Sequence, residues 1–256
     1  MSRRAQAPRF KAALASLLLA FAAVAPAAEP DWRLYGEVLA THVAPGERNG
    51  VRLNLVDYAA LQSDPRFAQV VDQVQAWPLA QLATPAERLA FHINAYNILA
   101  LQTVAAHWPL DSIKDAGSLL KPVWKRPAGR LGGQAVSLDD IEHGTLRKMG
   151  EPRMHLAIVC ASVSCPDLRI EPYVAERLDA QLDDQVKSFL ANEGKGLRVD
   201  GDTAHVSRIF DWFGEDFDAQ GGVEAFIRKH HPLAEGVAID ADIDYDWSVN
   251  ARQAAR

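Results

Sequence analysis

Between Leu89 and Leu101 the chain is apolar at nearly every position, with His92, Asn94 and Asn97 as its main polar interruptions. Just ahead of this run, Thr84-Pro85-Ala86-Glu87 spells a capping box with proline at the first helical position. A helix from Pro85 to about His107 is expected. It lacks a polar face, so it belongs inside the domain rather than on its surface. Buried amides need partners, so Asn94 and Asn97, one turn apart, are expected either to pin neighbouring backbone or to line a site.

The rest of the pattern is arranged around that helix. Trp32 to Val43 has helical spacing, Pro45-Gly46 and Asn49-Gly50 mark turns, and Val51 to Leu55 reads as a short strand. A helix carrying Leu61 follows, then another from Asp64-Pro65 that turns Phe67, Val70, Val71 and Val74 inward. Trp124 and Pro127 to Gly129 read as loop. Leu131 to Val136 folds back at Gly132-Gly133 as a hairpin, and Ser137 caps a helix from Leu138 to Met149. The apolar run Leu156 to Cys160 stops in small and polar residues, the pattern of a buried strand opening into a loop. A helix from Tyr173 to Asn192, a hairpin over Leu197 to Val206, short helices at Ile209 to Phe217 and Val223 to His230, and a tail with Tyr245-Asp246-Trp247 complete the chain. The expected fold is α+β: a single helix-rich domain, with a small β-sheet around a central buried helix.

Charge and the first residues change the picture. Arg3, Arg4, Arg9 and Lys11 precede the apolar run Ala12 to Val24, and Ala25-Pro26-Ala27 offers the small residues a signal peptidase reads. Residues 1–27 are expected to be a signal peptide, and residues 28–256 a single domain with its core at about 58–220. Removing the leader's four positive charges moves the net charge from −6 to −10. The mature protein is therefore expected to be exported, in the periplasm, without a membrane span and without affinity for nucleic acid.

Candidate chemistry centres on the two cysteines, Cys160 and Cys165. In one reading Cys165, in the loop, is a nucleophile, while Cys160 at the end of the apolar run is buried. A thiol needs a nearby base or cation to lower its pKa, and His143 or His155 could serve, with Glu142, Asp167 or an asparagine as orienter. Backbone amides after Cys165 could hold an oxyanion, although Pro166 removes one donor. A second reading bridges Cys160 and Cys165, stabilising by up to roughly 2 kcal/mol or cycling as a redox pair. A third has His155, Cys160, Cys165 and His143 hold a metal, for which the cysteine spacing is unfavourable. No phosphate loop, nucleophile elbow or paired-histidine helix appears, and no cofactor is expected.

Taken together, Ala90-Phe91-His92-Ile93-Asn94-Ala95-Tyr96-Asn97, Leu138-Asp139-Asp140-Ile141-Glu142-His143 and Pro152 to Pro166 follow one another as they do in the domain of unknown function 547 family. Leu178-Asp179-Ala180-Gln181-Leu182, Ser207-Arg208-Ile209-Phe210-Asp211-Trp212-Phe213 and Tyr245-Asp246-Trp247 extend the match. The chain resembles that family over most of its length after the leader, with His92 standing where an aromatic residue is expected. The resemblance implies that the asparagine helix, the Glu-His pair and the two-cysteine loop belong to one pattern. It brings no established activity. A helix, a strand and a Cys/His pair would also suit a distant likeness to papain-type or transglutaminase-type thiol hydrolases.

The expected activity is that of a thiol hydrolase or acyltransferase acting on a peptide, amide or ester. Its site would use Cys165, His143, Glu142, Cys160 and Asn94, with Asn97, His155, Ser164 and Arg208 binding substrate. The alternative is a non-catalytic binding or scaffold domain of the cell envelope, partnered by an envelope protein, whose cysteine pair is structural or redox-active.

Overall fold

A computed structural model describes residues 29–118 and 120–252. The expected signal peptide, residues 1–27, lies outside the described residues. No helix among them is long and apolar enough to cross a membrane.

The fold is α+β. Helix α1 (Arg33–His42) leads into an antiparallel ribbon of β1 (Val43–Arg48) and β2 (Val51–Val56). The ribbon turns at Asn49-Gly50, where both residues have positive φ. Pro45 and Gly46, expected to form a turn, lie within β1. Among the described residues the ribbon has only these two strands, so β1 is an edge that tolerates proline. Helices α2 (Tyr58–Gln62) and α3 (Pro65–Ala76) follow, each capped by the aspartate before it.

Helix α4 (Pro85–Ala106) is the centre of the molecule. Its Thr84–Glu87 capping box is formed in both directions, and 16 of its 22 residues are buried. Among them are Phe91, Ile93, Ile98 and Leu99, each fully excluded from solvent. At roughly 25 cal/mol per Å² of apolar surface, such side chains supply most of the drive for the elements that cover them.

The segment Pro127–Gly129 is a strand rather than a loop. It is the start of β3 (Pro127–Leu131), paired with β4 (Gln134–Ser137) across the Gly132-Gly133 turn. After β4 the chain is helical from Leu138 to Met149, but its winding changes. A turn of α-helix, α5 (Leu138–Ile141), gives way to a π turn over Glu142–Leu146 and a 3₁₀ turn over Arg147–Met149. Ile141 and Leu146 are both buried, five residues apart, and the wider π turn brings both inward.

The expected strand over Leu156 to Cys160 is absent. Pro152–Leu156 is a 3₁₀ turn, and the residues after it pair with no neighbouring strand apart from an isolated bridge between Ser162 and Val249. Burial without a strand requires other partners for the backbone. Asn97 supplies two, its amide donating to the Ala157 carbonyl at 3.0 Å and its carbonyl accepting from the Val159 N–H at 2.8 Å. Further on, the C-terminal segment supplies the rest: Val163 donates to Ser248, Ser164 to Asp246, and Asn250 to Ala161.

Helix α6 (Leu178–Leu190) starts later than expected, because Tyr173 and Val174 are tied to Asn94 and Gln181 ahead of a 3₁₀ turn. A three-stranded sheet of β5 (Leu197–Asp200), β6 (Thr203–Ser207) and β7 (Ala238–Ile243) completes the fold, with α7 (Ile209–Trp212) and α8 (Gly222–His230). Instead of one small sheet, the described residues form three separate ones. Among the described residues two apolar clusters result, one around α4 and a smaller one around Phe210, Phe217 and Phe226. Leu156 belongs to the second and Ala157, Ile158, Val159, Ala161 and Cys165 to the first, so the chain crosses from one to the other just ahead of the cysteine segment.

Replacing Asn97 with alanine leaves a buried N–H and a buried carbonyl without partners. We expect a loss of about 2–4 kcal/mol in urea denaturation. A loss below about 0.5 kcal/mol would show that the amide does not hold this segment.

The candidate site: a two-thiol cleft

A cleft of about 300 Å³ opens where the cysteine segment, α5 and its π turn, α7 and the C-terminal segment meet. Cys160 and Cys165 are both in its lining, with Glu142, His143 and His155. The two sulfurs are hydrogen-bonded at 2.6 Å, and both cysteines are thiols.

Their accessibility is the reverse of the expected order. Cys165 is buried, 3% exposed, whereas Cys160 is half-buried. The loop does not project into solvent, because Lys195 holds it from beneath. That lysine is itself buried and donates to the Cys165 carbonyl and to Asp167, each at 2.7 Å. Above Cys160 the chain turns through Ala161 at φ 57°, a left-handed conformation that costs a residue with a Cβ roughly 1–2 kcal/mol.

Around the Cys160 sulfur stand the Ser162 hydroxyl at 3.1 Å and the Tyr245 hydroxyl at 3.2 Å. Burial pushes the Cys160 thiol up. Hydrogen bonds from Cys165, the Ser162 hydroxyl, the Tyr245 hydroxyl and the Ser162 backbone outweigh it, and the thiol sits below the ordinary range. Burial pushes Cys165 the other way, and the neighbouring charge on Cys160 adds to the rise. The two thiols are therefore split, the accessible one being the more acidic.

Glu142 faces inward from the π turn and is buried, while its neighbour His143 faces out, because consecutive helical residues point about 100° apart. No hydrogen bond joins them among the described residues. The Glu142 carboxylate accepts from the Tyr96 hydroxyl at 3.2 Å. Burial raises its pKa to about 7, helped by the Cys160 charge and opposed by the Tyr96 hydrogen bond.

His143 Nδ1 lies 2.9 Å from an Arg147 guanidinium nitrogen. Arginine can only donate, so this nitrogen accepts and the ring proton is on Nε2. Neither sulfur is hydrogen-bonded to a histidine among the described residues. His155 is paired instead with Asp216, Nε2 to carboxylate at 2.7 Å, and its ring stacks on Phe213 with centroids 4.1 Å apart. Burial pushes His155 down to about 4 against the pull of Asp216, leaving it neutral with an unpartnered, buried Nδ1. Arg147 grips the same Asp216 with two hydrogen bonds, at 2.6 and 2.8 Å.

Several expected site residues are elsewhere. Asn94 does not line the cleft; its amide is used up on the Tyr173 backbone, at 2.7 and 3.0 Å. Asn97 is likewise committed to Ala157 and Val159. Ser164 is buried and accepts from the Asp246 N–H at 2.8 Å, anchoring the C-terminal segment. Arg208 caps α7 with its backbone and is not in the lining. The amides near Cys165 are engaged too: Cys165 donates to Ser162, and Ser164 to Asp246. Among the described residues, no group of three or more His, Cys, Asp or Glu could hold a metal ion.

The aromatic wall was not foreseen as part of the site. Trp124, Trp212, Phe213, Tyr245 and Trp247 line one side of the cleft. Trp212 and Trp247 stack at 5.9 Å, and Lys114 sits 3.4 Å above the Trp247 ring. Trp212 remains 44% exposed. Repeated tryptophans near the chain's end were the one available signal, but nothing local ties them to cysteines some fifty residues or more away.

The fold and cleft define an α+β protein with a thiol pair beneath an aromatic wall. Residues 79–190 match the family described as "Protein of unknown function, DUF547". The match takes in both cysteines, Glu142, His143 and His155, and stops short of Trp212, Asp216 and Tyr245. No curated protein and no solved structure matches the chain.

Glu142 gives the site a pH signature. Its carboxyl is raised from 4.5 to about 7 on folding, so the folded state holds the proton more tightly. Its contribution to stability is full below about 4.5 and is lost as pH rises through 7. Glu142→Gln removes this loss, on the order of 3 kcal/mol at most, and urea denaturation at pH 5 and pH 8 reads the difference. An unchanged pH dependence would mean that the carboxyl is not raised.

Proposed function

We propose that this protein is an exported, thiol-dependent hydrolase or acyltransferase, with Cys160 rather than Cys165 as its nucleophile. The observation that carries the reading is the Cys160 sulfur, half-buried in the cleft lining and hydrogen-bonded to Cys165, Ser162 and Tyr245. A thiolate is the reactive form of cysteine, and hydrogen bonds to it are one way to populate it near neutral pH. The strained turn at Ala161, directly after the sulfur-bearing residue, supports the same reading, because such strain gathers at functional sites.

In the proposed reaction the Cys160 thiolate attacks the carbonyl carbon of a peptide, amide or ester. The carbon–heteroatom bond breaks, leaving a thioester on Cys160 and an amine or alcohol that takes a proton. Glu142, with a pKa near 7 and in the same cleft, serves as proton donor and then as base for the water or acceptor that cleaves the thioester. The hydroxyls of Tyr245 and Ser162, freed from the thiolate as it bonds to carbon, hold the developing oxyanion. His143 takes no part as base, its Nδ1 lone pair being occupied by Arg147. The basic leader followed by the apolar run Ala12 to Val24 supports export, and a periplasmic location is proposed on that ground.

Incubation with p-nitrophenyl acetate tests the acyl chemistry. The expected result is a burst of one nitrophenolate per chain with an acetyl group mapped to Cys160, absent in Cys160→Ala and retained in Cys165→Ala. Acylation elsewhere, or a burst that survives Cys160→Ala, would remove Cys160 from the role.

Alkylation by iodoacetamide across pH tests the activated thiol. Its midpoint should lie below the free-cysteine value of about 8.5, and Tyr245→Phe should raise it by about 0.5–1 pH unit. A midpoint that ignores Tyr245 would mean that its hydroxyl does not support the thiolate.

A further inference from the structure

Acyl chemistry at Cys160 uses the second thiol beside it only as a hydrogen-bond partner. Cys165 is buried, hydrogen-bonded to the Cys160 sulfur at 2.6 Å, and its own sulfur accepts from the Cys160 backbone N–H at 2.8 Å. Although Cys165 belongs to the apolar cluster around α4, it is also held against the nucleophile by a loop fixed from below by Lys195 and from above by the Ser164–Asp246 pairing.

We propose that Cys160 and Cys165 form a redox-active pair that reduces an exogenous disulfide flanked by aromatic or apolar groups, Cys160 attacking and Cys165 resolving. The Cys160 thiolate attacks one sulfur of the substrate disulfide. A mixed disulfide forms on Cys160, and the other substrate sulfur leaves as a thiol. Cys165 then gives up its proton and attacks the Cys160 sulfur, forming the Cys160–Cys165 bond and releasing the second substrate thiol. Two protein thiols are oxidised to one disulfide and one substrate disulfide is reduced to two thiols, with both protons carried to the leaving sulfurs.

The order of the steps is built into the pair. Cys165 is held protonated by burial and by the adjacent Cys160 charge. Once Cys160 is capped that charge is gone, while the Cys160 N–H still points at the Cys165 sulfur, so the resolving thiol becomes easier to ionise only after the first step. The substrate class follows from the walls: Trp124, Trp212, Phe213 and Trp247 offer aromatic faces to the groups beside the disulfide. The inference needs Cys160 to be a nucleophile but does not need acyl transfer.

The test uses 4,4′-dithiodipyridine, an aromatic disulfide that reports each released thiopyridone by absorbance. The native protein should release two thiopyridones and lose two hydrogens in intact mass with no adduct retained, and dithiothreitol should restore both thiols. Cys165→Ser should release one and keep a stable adduct on Cys160. Cys160→Ser should react at least about 100-fold more slowly while folded, because its remaining thiol is buried. Cys165→Ala, checked for folding by circular dichroism, guards against a variant that fails to fold. Separate adducts on the two cysteines, or equal reactivity of Cys160→Ser, would overturn the proposal. Bridging without acylation by p-nitrophenyl acetate would remove only the acyl reading, and acylation without bridging only this one.

Discussion

The side-chain amide of Asn97 is the contact on which the site depends. A segment that crosses a protein interior without joining a sheet or helix must find other partners for its backbone, and an amide with one donor and one acceptor can serve both polarities. Because Asn97 projects from the most deeply buried helix, it transfers the rigidity of α4 to the residues just before Cys160. Asn94, one turn earlier, does the same for the chain at Tyr173. Two amides on one helix thus locate both the entry to the cysteine segment and the approach to α6.

How much of this could be read from the residues alone varied with the range of the interactions involved. Helix α4 was legible because its cap and its apolar character are local properties. The run Leu156 to Cys160 was correctly read as buried as far as Val159 and wrongly read as a strand. Apolar character reports exclusion from water, and only the neighbours decide whether the backbone is satisfied by a ladder or by side chains. The winding change after Ile141 shows the same limit. Its helical character is in the pattern, but the π turn that sends Glu142 inward and His143 outward answers to packing on both sides of it.

The exposure of the two cysteines was inverted for a related reason. A cysteine followed by proline in a polar loop looks accessible, yet Lys195 draws that loop down by its carbonyl at Cys165. The Glu-His and Cys/His pairings suggested by residue type dissolved in a similar way. His155 is claimed by Asp216 and His143 by Arg147, two partners supplied by helical turns that sequence proximity alone did not connect to the cleft. What the low-dielectric interior does to these groups is consistent: it raises Glu142 and Cys165, lowers His155, and leaves charge to the one thiol with enough donors around it.

Tyr245 reaches Cys160 from a segment 85 residues further along the chain, and residues 246–252 lace that segment to the cysteine loop and to the β1–β2 ribbon. During synthesis, the cysteines emerge long before the hydroxyl that sharpens one of them. A growing chain therefore carries two thiols without that hydroxyl, and the contact forms only when the segment at Tyr245 has docked. The surroundings of the Cys160 sulfur are thus assembled late, by tertiary docking rather than by the local chain.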